Sequence, residues 1–214
     1  VRKEIRKGNQ LDTNSKKEVR KKKQKHLIII GHPDRKSFCF NGIFKTVLRE
    51  VRKFKQNYRV IDLYDDKLHR NKTELIQEYK DLITWSTHIY FISPVWWFRM
   101  VPKMETFFDE VFTPGFAYKF VPIFGMYAYP KPFLKDKKVR TYITHGAPML
   151  PVVTLYLNSV KLRLVMGVYT FVFGWNLNRW RKTKQFWSVP FVSDKKRKKY
   201  LKVVKADIRR DMGY

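Results

Sequence analysis

Hydrophobic residues alternate along the chain between a spacing typical of strands and a spacing typical of helices. The continuous apolar run 27–30 predicts a strand that is covered on both faces, as in a parallel sheet. Between residues 40 and 54, apolar positions recur at steps of one or three with basic residues between them, which predicts an amphipathic helix. The same alternation predicts further strands at 58–63, 89–93, 139–144 and 168–173, and further helices at 74–85, 102–112, 154–164 and 195–210.

Strands and helices that alternate through short connections predict a parallel sheet with right-handed crossovers, and therefore a three-layer α/β fold. In such sheets, ligands bind beyond the carboxyl ends of the strands, near the point where the strand order reverses. Three loops are therefore candidates for a binding site: 31–39, 93–98 and 144–148. Segment 113–136 is aromatic and rich in turn residues.

The first 25 residues differ from the rest of the chain. They contain 11 Lys or Arg, 3 acidic residues and almost no apolar residues. No periodicity in them could bury one face, so we predict a basic, flexible tail over 1–25 and a single domain over 26–214. The 44% hydrophobic content of the 214 residues is sufficient for a sizeable core.

The chain is strongly basic, with 46 Lys or Arg against 18 Asp or Glu and a net charge of +28. This charge favours anionic ligands and salt-sensitive, non-specific binding to nucleic acid or an anionic surface. A nucleic-acid interface would concentrate the excess on one face, whereas a compositional drift towards lysine would spread it. Because the 30 Lys and 16 Arg are distributed along the whole chain, the sequence favours the drift.

The remaining composition restricts the protein class. A single cysteine, Cys39, excludes an internal disulfide and a CxxC pair, which fits a reducing compartment, so a cytoplasmic location is expected. The most apolar stretch, 151–175, is interrupted by Lys161 and Arg163, so no membrane span is predicted. No secretory signal and no metal site are predicted either.

The first candidate loop contains neither a Rossmann GxGxxG nor a Walker A motif. Instead, His32, the basic pair Arg35 and Lys36, and Ser37 precede a predicted helix. An imidazole, two basic side chains and a hydroxyl therefore converge on the positive end of the helix dipole. This combination is suited to holding a phosphate. The alternative is that Ser37 only caps the helix, because serine is a preferred N-cap residue.

The second loop contains aromatic residues that could border a ligand, and the third contains small residues that would let a ligand come close to the backbone. Trp96, Trp97 and Phe98 are consecutive, so they cannot all face one core, and at least one ring is expected to border a cavity or an interface. The alternative is core packing plus a dimer contact. Small residues around Gly146 would let backbone amides come close to a ligand. His32 and His145 are acid/base candidates, although loop histidines more often act as hydrogen-bonding groups.

The sequence resembles the flavodoxin-like NAD(P)H:quinone oxidoreductase family over roughly 26–205. The similarity is carried by LIIIGHPDRKSF, DLITWSTHIYFISPVWWF and METFFDEVFTPGFAYKF, in this order. The resemblance implies a flavodoxin-like three-layer sandwich with a five-stranded parallel sheet in the order 2-1-3-4-5, a homodimer and a bound flavin, either FAD or FMN. It also implies hydride transfer from NAD(P)H through the flavin to a quinone or a similar acceptor.

The resemblance assigns roles to individual positions. It implies that the flavin phosphate is held by the first loop, at His32, Lys36, Ser37 and Phe38. The second and third loops would surround the isoalloxazine ring with Pro94, Val95, Trp96, Trp97, Phe98, Thr144, Gly146 and Ala147.

This chain also departs from the family. Long-chain relatives have a glycine at the position of Ala147, a tyrosine at Val152 and a histidine at Asn158, and the last two assist protonation around the ring. His145 and Tyr156 are therefore the candidate catalytic residues that would replace them. The sequence thus predicts a flavin-dependent NAD(P)H oxidoreductase. The alternative is a non-catalytic flavodoxin-like module that uses its basic surface to bind nucleic acid or an acidic or membrane partner.

Overall fold

A computed structural model describes residues 24–65 and 71–214 of the protein. The predicted basic tail lies outside these described residues, except for its last two positions. The strands are β1 (Lys25–Ile30), β2 (Asn57–Asp62), β3 (His88–Trp96), β4 (Arg99–Met100), β5 (Tyr118–Phe124), β6 (Tyr127–Pro132), β7 (Lys138–Thr144) and β8 (Thr183–Phe186). The helices are α1 (Lys45–Lys53), α2 (Lys72–Trp85), α3 (Pro102–Val111), α4 (Met149–Thr154), α5 (Ser159–Leu162), α6 (Tyr169–Phe173), α7 (Asn178–Lys182) and α8 (Asp194–Asp211). Two π-helical segments, Phe38–Phe44 and Arg163–Val168, lead into α1 and α6.

The central sheet is mostly parallel, as the alternation of strands and helices predicts. Its parallel strands are ordered β2-β1-β3-β7-β8, and the short β4 pairs antiparallel with β3. β5 and β6 form a separate antiparallel hairpin within the segment for which no element was predicted. The α/β fold is confirmed, while β4 and the hairpin add strands beyond the predicted five.

Helices cover the sheet on both faces because β1 and β3 are apolar on both sides. On one face, Val47 and Val51 of α1 pack in the same buried cluster as Val204 and Ile208 of α8. On the other face, α2, α3, α5 and α6 pack in a second cluster around Phe91. Among the residues that the structure describes, no helix is long and apolar enough to cross a membrane.

The predicted fifth strand at 168–173 is wrong. These residues form the end of the second π-helical segment and α6, where Tyr169, Val172 and Phe173 are buried and Phe171 is exposed. This burial follows a helical period, although β-branched and aromatic residues favour strands. The fifth parallel strand is β8, whose sequence TKQF has little hydrophobic signal of its own.

The predicted helix at 154–164 is interrupted. α4 ends at Thr154, and Leu157 and Asn158 adopt left-handed backbone angles with φ of 48° and 52°. Residues other than glycine rarely adopt these angles, so the chain makes a turn here before α5 begins at Ser159.

Candidate cofactor site

A cleft of about 710 Å³ lies at the carboxyl ends of β1, β3 and β7, where the three candidate loops meet. Ten of the fourteen predicted site residues line it: His32, Lys36, Ser37, Phe38, Pro94, Val95, Trp96, Thr144, His145 and Gly146. The other four, Trp97, Phe98, Ala147 and Tyr156, are not part of this lining. The volume is within the usual range for small-molecule sites, roughly 300 to 1,000 Å³.

The first loop is a tight turn held together by Asp34. The backbone N–H of Lys36 donates to Asp34 Oδ1 at 2.7 Å, and the Ser37 hydroxyl donates to the Asp34 carbonyl at 2.8 Å. Ser37 Oγ also accepts from the backbone N–H of Phe40 at 3.2 Å, so Ser37 caps the helix. The capping role is confirmed, and Ser37 lines the cleft at the start of a helical stretch that continues through α1.

His32 has a defined proton position. Its Nδ1 accepts from the backbone N–H of Asp34 at 3.0 Å, so the neutral ring carries its proton on Nε2. Burial lowers the pKa of His32, while Asp34 opposes this shift. The ring also meets Trp96 edge-on, with centroids 6.3 Å apart. His32 can therefore donate from Nε2 without a positive charge.

The two basic side chains of the first loop have different partners. Arg35 pairs with Asp62 and with Asp65. Lys36 is exposed and lines the cleft. Arg197 of α8 also lines it, and its guanidinium is paired with Asp194 at 2.9 Å. No carboxylate of the described residues belongs to the lining. The cleft is therefore suited to an anion.

The second loop separates its aromatic residues. Pro94, Val95 and Trp96 line the cleft, so one indole borders a cavity, as predicted. Trp97 and Phe98 adopt left-handed backbone angles, φ 50° and 58°, in the turn towards β4. This turn leaves Trp97 90% exposed.

His145, one of the fourteen predicted residues, is held in a polar network that the sequence analysis did not predict. The side-chain amide nitrogen of Gln185 lies 3.0 Å from His145 Nε2 and donates to Asn158 Oδ1 at 2.9 Å. The imidazole also stacks on Trp187, with centroids 4.1 Å apart. Burial lowers the pKa of His145 to about 4. Because an amide nitrogen can only donate, Nε2 is the acceptor and the ring is neutral.

Tyr156, the other candidate catalytic residue, lies apart from this network. Its ring is 48% exposed and packs on Phe98, with centroids 4.2 Å apart. The structure therefore brings Tyr156 together with the second loop, and not with the cleft lining.

Sequence reasoning missed seven residues of the cleft lining: Cys39, Asn41, Gly42, Val189, Pro190, Arg197 and Leu201. It also missed Gln185 and Trp187, which contact His145. Gln185 is the penultimate residue of β8, Trp187 directly follows this strand, and Arg197 lies in the first turn of α8. A correct assignment of the fifth strand would have placed Gln185 at the carboxyl edge of the sheet. Arg197 had no such signal, because α8 contains nine basic residues.

Comparison with known proteins agrees with this geometry. A family model described as flavodoxin-like fold matches residues 24–153. The chain belongs to this family. No significant match is found among curated proteins.

Several solved structures share this flavodoxin-like fold. Smu.1420 from Streptococcus mutans is 25% identical, with a TM-score of 0.69 over 87% of this chain and 100% of that chain. An NAD(P)H:quinone oxidoreductase from Methanothermobacter marburgensis is 19% identical, with a TM-score of 0.66 over 88% and 98%. An FMN-dependent NADH-azoreductase from Bacillus anthracis, in complex with FMN, is 16% identical, with a TM-score of 0.69 over 87% and 98%.

In this flavodoxin-like chain, strained backbone is concentrated around the candidate site. Of the six residues other than glycine with positive φ in the described chain, five lie in loops at the carboxyl edge of the sheet: Trp97, Phe98, Leu157, Asn158 and Ser188. Such angles cost of order 1–3 kcal/mol each and persist only where the surroundings impose them. Their position supports a functional role for this edge.

The cleft lining fits a flavin mononucleotide. Lys36 and the start of the helical stretch offer donors for a phosphate, whereas the Ser37 hydroxyl already donates to the Asp34 carbonyl. Pro94, Val95 and Trp96 offer an apolar wall for a ring. At Gly146, an added Cβ would meet no atom within 4 Å, so the backbone borders open space. Among the described residues, no group of three or more His, Cys, Asp or Glu could hold a metal ion.

Proposed function

We propose that this protein is a flavin-dependent oxidoreductase that binds FMN and transfers a hydride from NAD(P)H to a quinone or a similar acceptor. The observation that carries the proposal is the cleft at the carboxyl edge, which combines the exposed Lys36, an apolar wall and a lining without carboxylates. The similarity to a quinone oxidoreductase and to an azoreductase in complex with FMN supports it. When bound, the flavin would accept the hydride and pass it on.

The residues of the cleft would bind and orient this cofactor. Lys36 and the helix start would hold the phosphate, with His32 donating from Nε2. Trp96 would shield one edge of the ring from water. Neutral His145 would fix the Gln185 amide through Nε2 rather than transfer a proton, because its acceptor nitrogen is already used.

Tyr156 is the remaining candidate for a proton donor. Its phenol is exposed beside Phe98 and is accessible to an acceptor that enters from the second loop. We expect Tyr156→Phe to retain flavin and to lower kcat for a quinone by about tenfold. Phe98→Leu is the matched control, because it changes the packing against Tyr156 and leaves the hydroxyl in place. An unchanged kcat in Tyr156→Phe would remove this residue from the mechanism.

A homodimer is part of the proposal. Several large apolar side chains near the cleft edge are exposed, among them Trp97, Leu150, Leu155 and Leu157 at 72–90%. Apolar patches of this kind often mark an interface. Light scattering during gel filtration should give twice the mass of one chain, and a mass of 26 kDa would contradict the dimer.

One experiment tests the central proposal. The purified protein is examined for a flavin spectrum, the flavin is released by denaturation and identified by chromatography, and NADH and NADPH oxidation is followed with menadione. We expect FMN and pyridine-nucleotide oxidation. A colourless protein that takes up neither FMN nor FAD would contradict the proposal, and a yellow protein without turnover would support the non-catalytic module.

A further inference from the structure

The net charge of the protein is divided unequally between the two helical layers. Helices α1 and α8, which cover one face of the sheet, contain 13 basic and 4 acidic residues, a net charge of +9. Helices α2 and α3, on the opposite face, contain 3 basic and 6 acidic residues, a net charge of −3. Even with the shorter helices α5 to α7 and Arg163 included, the second layer reaches only +2. A compositional drift alone does not account for this contrast.

Solvent exposure increases the contrast further. Eleven of the 13 basic side chains of α1 and α8 are exposed, but of the four acidic residues only Asp194 is. Glu50 and Asp207 are buried and are neutralised by ion pairs of 3.1 Å with Arg209 and Arg140. Asp211 accepts two hydrogen bonds from Arg140, at 2.6 and 2.8 Å. Two of the exposed basic residues, Arg209 and Arg210, are paired with the buried Glu50 and Asp207. The remaining surface of these two helices is basic, and Asp194 is its one exposed acidic residue.

The exposed basic residues form a continuous surface, called the basic face below. On α8, Lys195, Lys198, Lys199, Lys202 and Arg209 lie on the side opposite the buried Val204 and Ile208. At 1.5 Å per residue, this stripe is about 20 Å long. The adjacent α1 adds four exposed side chains: Lys45, Arg49, Arg52 and Lys53. The two helices are fixed side by side, because they share a buried apolar cluster and the Glu50–Arg209 pair.

We propose that the basic face binds the phosphate backbone of double-stranded nucleic acid without reading its sequence. Duplex DNA presents one negative charge per roughly 1.7 Å of its axis, which matches an extended row of Lys and Arg on a rigid support. Contacts to phosphates alone position a protein on the duplex but carry no sequence information. This binding is independent of the flavin cleft.

An anionic membrane fits the basic face less well. Helices that bind in a membrane interface combine basic residues with large apolar side chains that insert among the lipids. On α1 and α8, the only large hydrophobic side chain that is exposed in the structure is Val203, at 39%. Other strongly exposed apolar side chains include Met126 and Phe124 at the tip of the β5–β6 hairpin, and Phe191, at 84%, which precedes α8.

The test compares two variants with the same loss of charge. The first changes Lys195, Lys198, Lys199 and Lys202 to Gln on the basic face. The matched control changes Lys103, Lys119, Lys131 and Lys135 to Gln, which are equally exposed but lie outside it. Binding to a 24-base-pair duplex DNA is measured by fluorescence anisotropy from 50 to 300 mM KCl, with circular dichroism melts to establish that each variant is folded.

We expect the first variant to bind on the order of 10³-fold more weakly at 100 mM salt, and its log K against log [salt] slope to be smaller by roughly 3 to 4. The control should change the affinity by less than about tenfold. If the first variant does not fold, the α1 variant with Lys45, Arg49, Arg52 and Lys53 changed to Gln gives the same comparison.

Three outcomes would overturn the proposal. Equal losses in both variants would show that only the net charge matters. Loss of binding on deletion of 1–23, with the basic-face variant unaffected, would assign the binding to the amino-terminal segment. Strong binding to vesicles of phosphatidylcholine and phosphatidylserine, together with negligible binding to the duplex, would identify the basic face as a membrane surface.

Discussion

The imidazoles of His26 and His88 stack within the sheet, with ring centroids 4.9 Å apart and the planes inclined by 21°. His26 is the first buried residue of β1, and His88 is its partner in the parallel register with β3. The pair therefore lies at the amino edge of the sheet, opposite the cleft. His26 Nδ1 is 3.2 Å from the Tyr90 hydroxyl, and His88 Nδ1 is 2.9 Å from Thr87 Oγ1.

The histidine pair predicts a loss of stability in mild acid. Burial lowers the pKa of His26 to about 3 and that of His88 to about 4, and their proximity contributes to the shift of His26. The unfolded chain takes up these protons below pH 6.5, the ordinary value, whereas the folded chain does so only near pH 3 to 4. The free energy of unfolding should therefore decrease as the pH falls through this interval.

Urea unfolding at several pH values between about 4 and 8 measures this effect. Replacing both residues, with His26→Asn and His88→Asn, removes two titrating groups and should reduce the pH dependence even if the variant is less stable overall. The buried His145, whose pKa is also about 4, should account for part of the remaining slope. The same slope in the variant would show that other groups cause the acid sensitivity.

A substitution at Gly146 should weaken cofactor binding without a matching loss of folding stability. An added Cβ at this position meets no protein atom within 4 Å, and the residue borders the cleft. We expect Gly146→Val to keep its melting temperature within a few degrees and to lose at least about tenfold in FMN affinity, because the side chain occupies ligand space. Gly167→Val is the matched control, since its Cβ also meets no atom within 4 Å and it lies outside the cleft lining.

Fluorescence quenching of FMN, titrated with each apoprotein, gives the two affinities. If Gly146→Val binds FMN as tightly as the unchanged chain, the ring does not lie against the third loop.

Lys36 should contribute to FMN affinity through the phosphate group of the cofactor. It is the basic residue of the first loop that lines the cleft, since Arg35 is paired with Asp62. Lys36→Gln should weaken FMN binding by about tenfold or less, ~1 kcal/mol, because the side chain is exposed and screened by water. Binding of riboflavin, which lacks the phosphate, should not change. A Lys103→Gln variant controls for the loss of one positive charge outside the cleft.

His145 should cause no pH dependence of kcat/KM near neutrality. Because burial lowers its pKa to about 4, this residue stays neutral above roughly pH 5 and contributes no ionisation there. The kcat/KM for NADH should therefore show no step near the ordinary histidine value of 6.5. If such a step is present and disappears in His145→Asn, the imidazole does transfer a proton.

The chain order of the four central parallel strands and of the long helices follows from local patterning. Continuous apolar runs such as 27–30 can only be buried on both faces, and the 40–54 pattern can only be buried on one. These patterns also locate the three loops that border the cleft, because the carboxyl ends of parallel strands lie at one edge. Ten of the fourteen residues predicted from the sequence line the cleft at this edge.

The sequence did not distinguish the last strand from the neighbouring helix. α6 is rich in residues that favour strands, and β8 is polar, so pairing with β7 decided the outcome against local propensity. The His145–Gln185–Asn158 network depends on this pairing, as its members are 13 to 40 positions apart and meet only when β8 lies beside β7.

The amino-acid sequence by itself determined the α/β class, the net charge and the edge at which the candidate cleft lies, since each depends on composition or on a short period. Only the tertiary structure decided which basic residues face the cleft, which side of the sheet carries the excess charge and which proton position His145 adopts. These properties arise from packing between segments far apart in the chain, and no local pattern encodes such contacts.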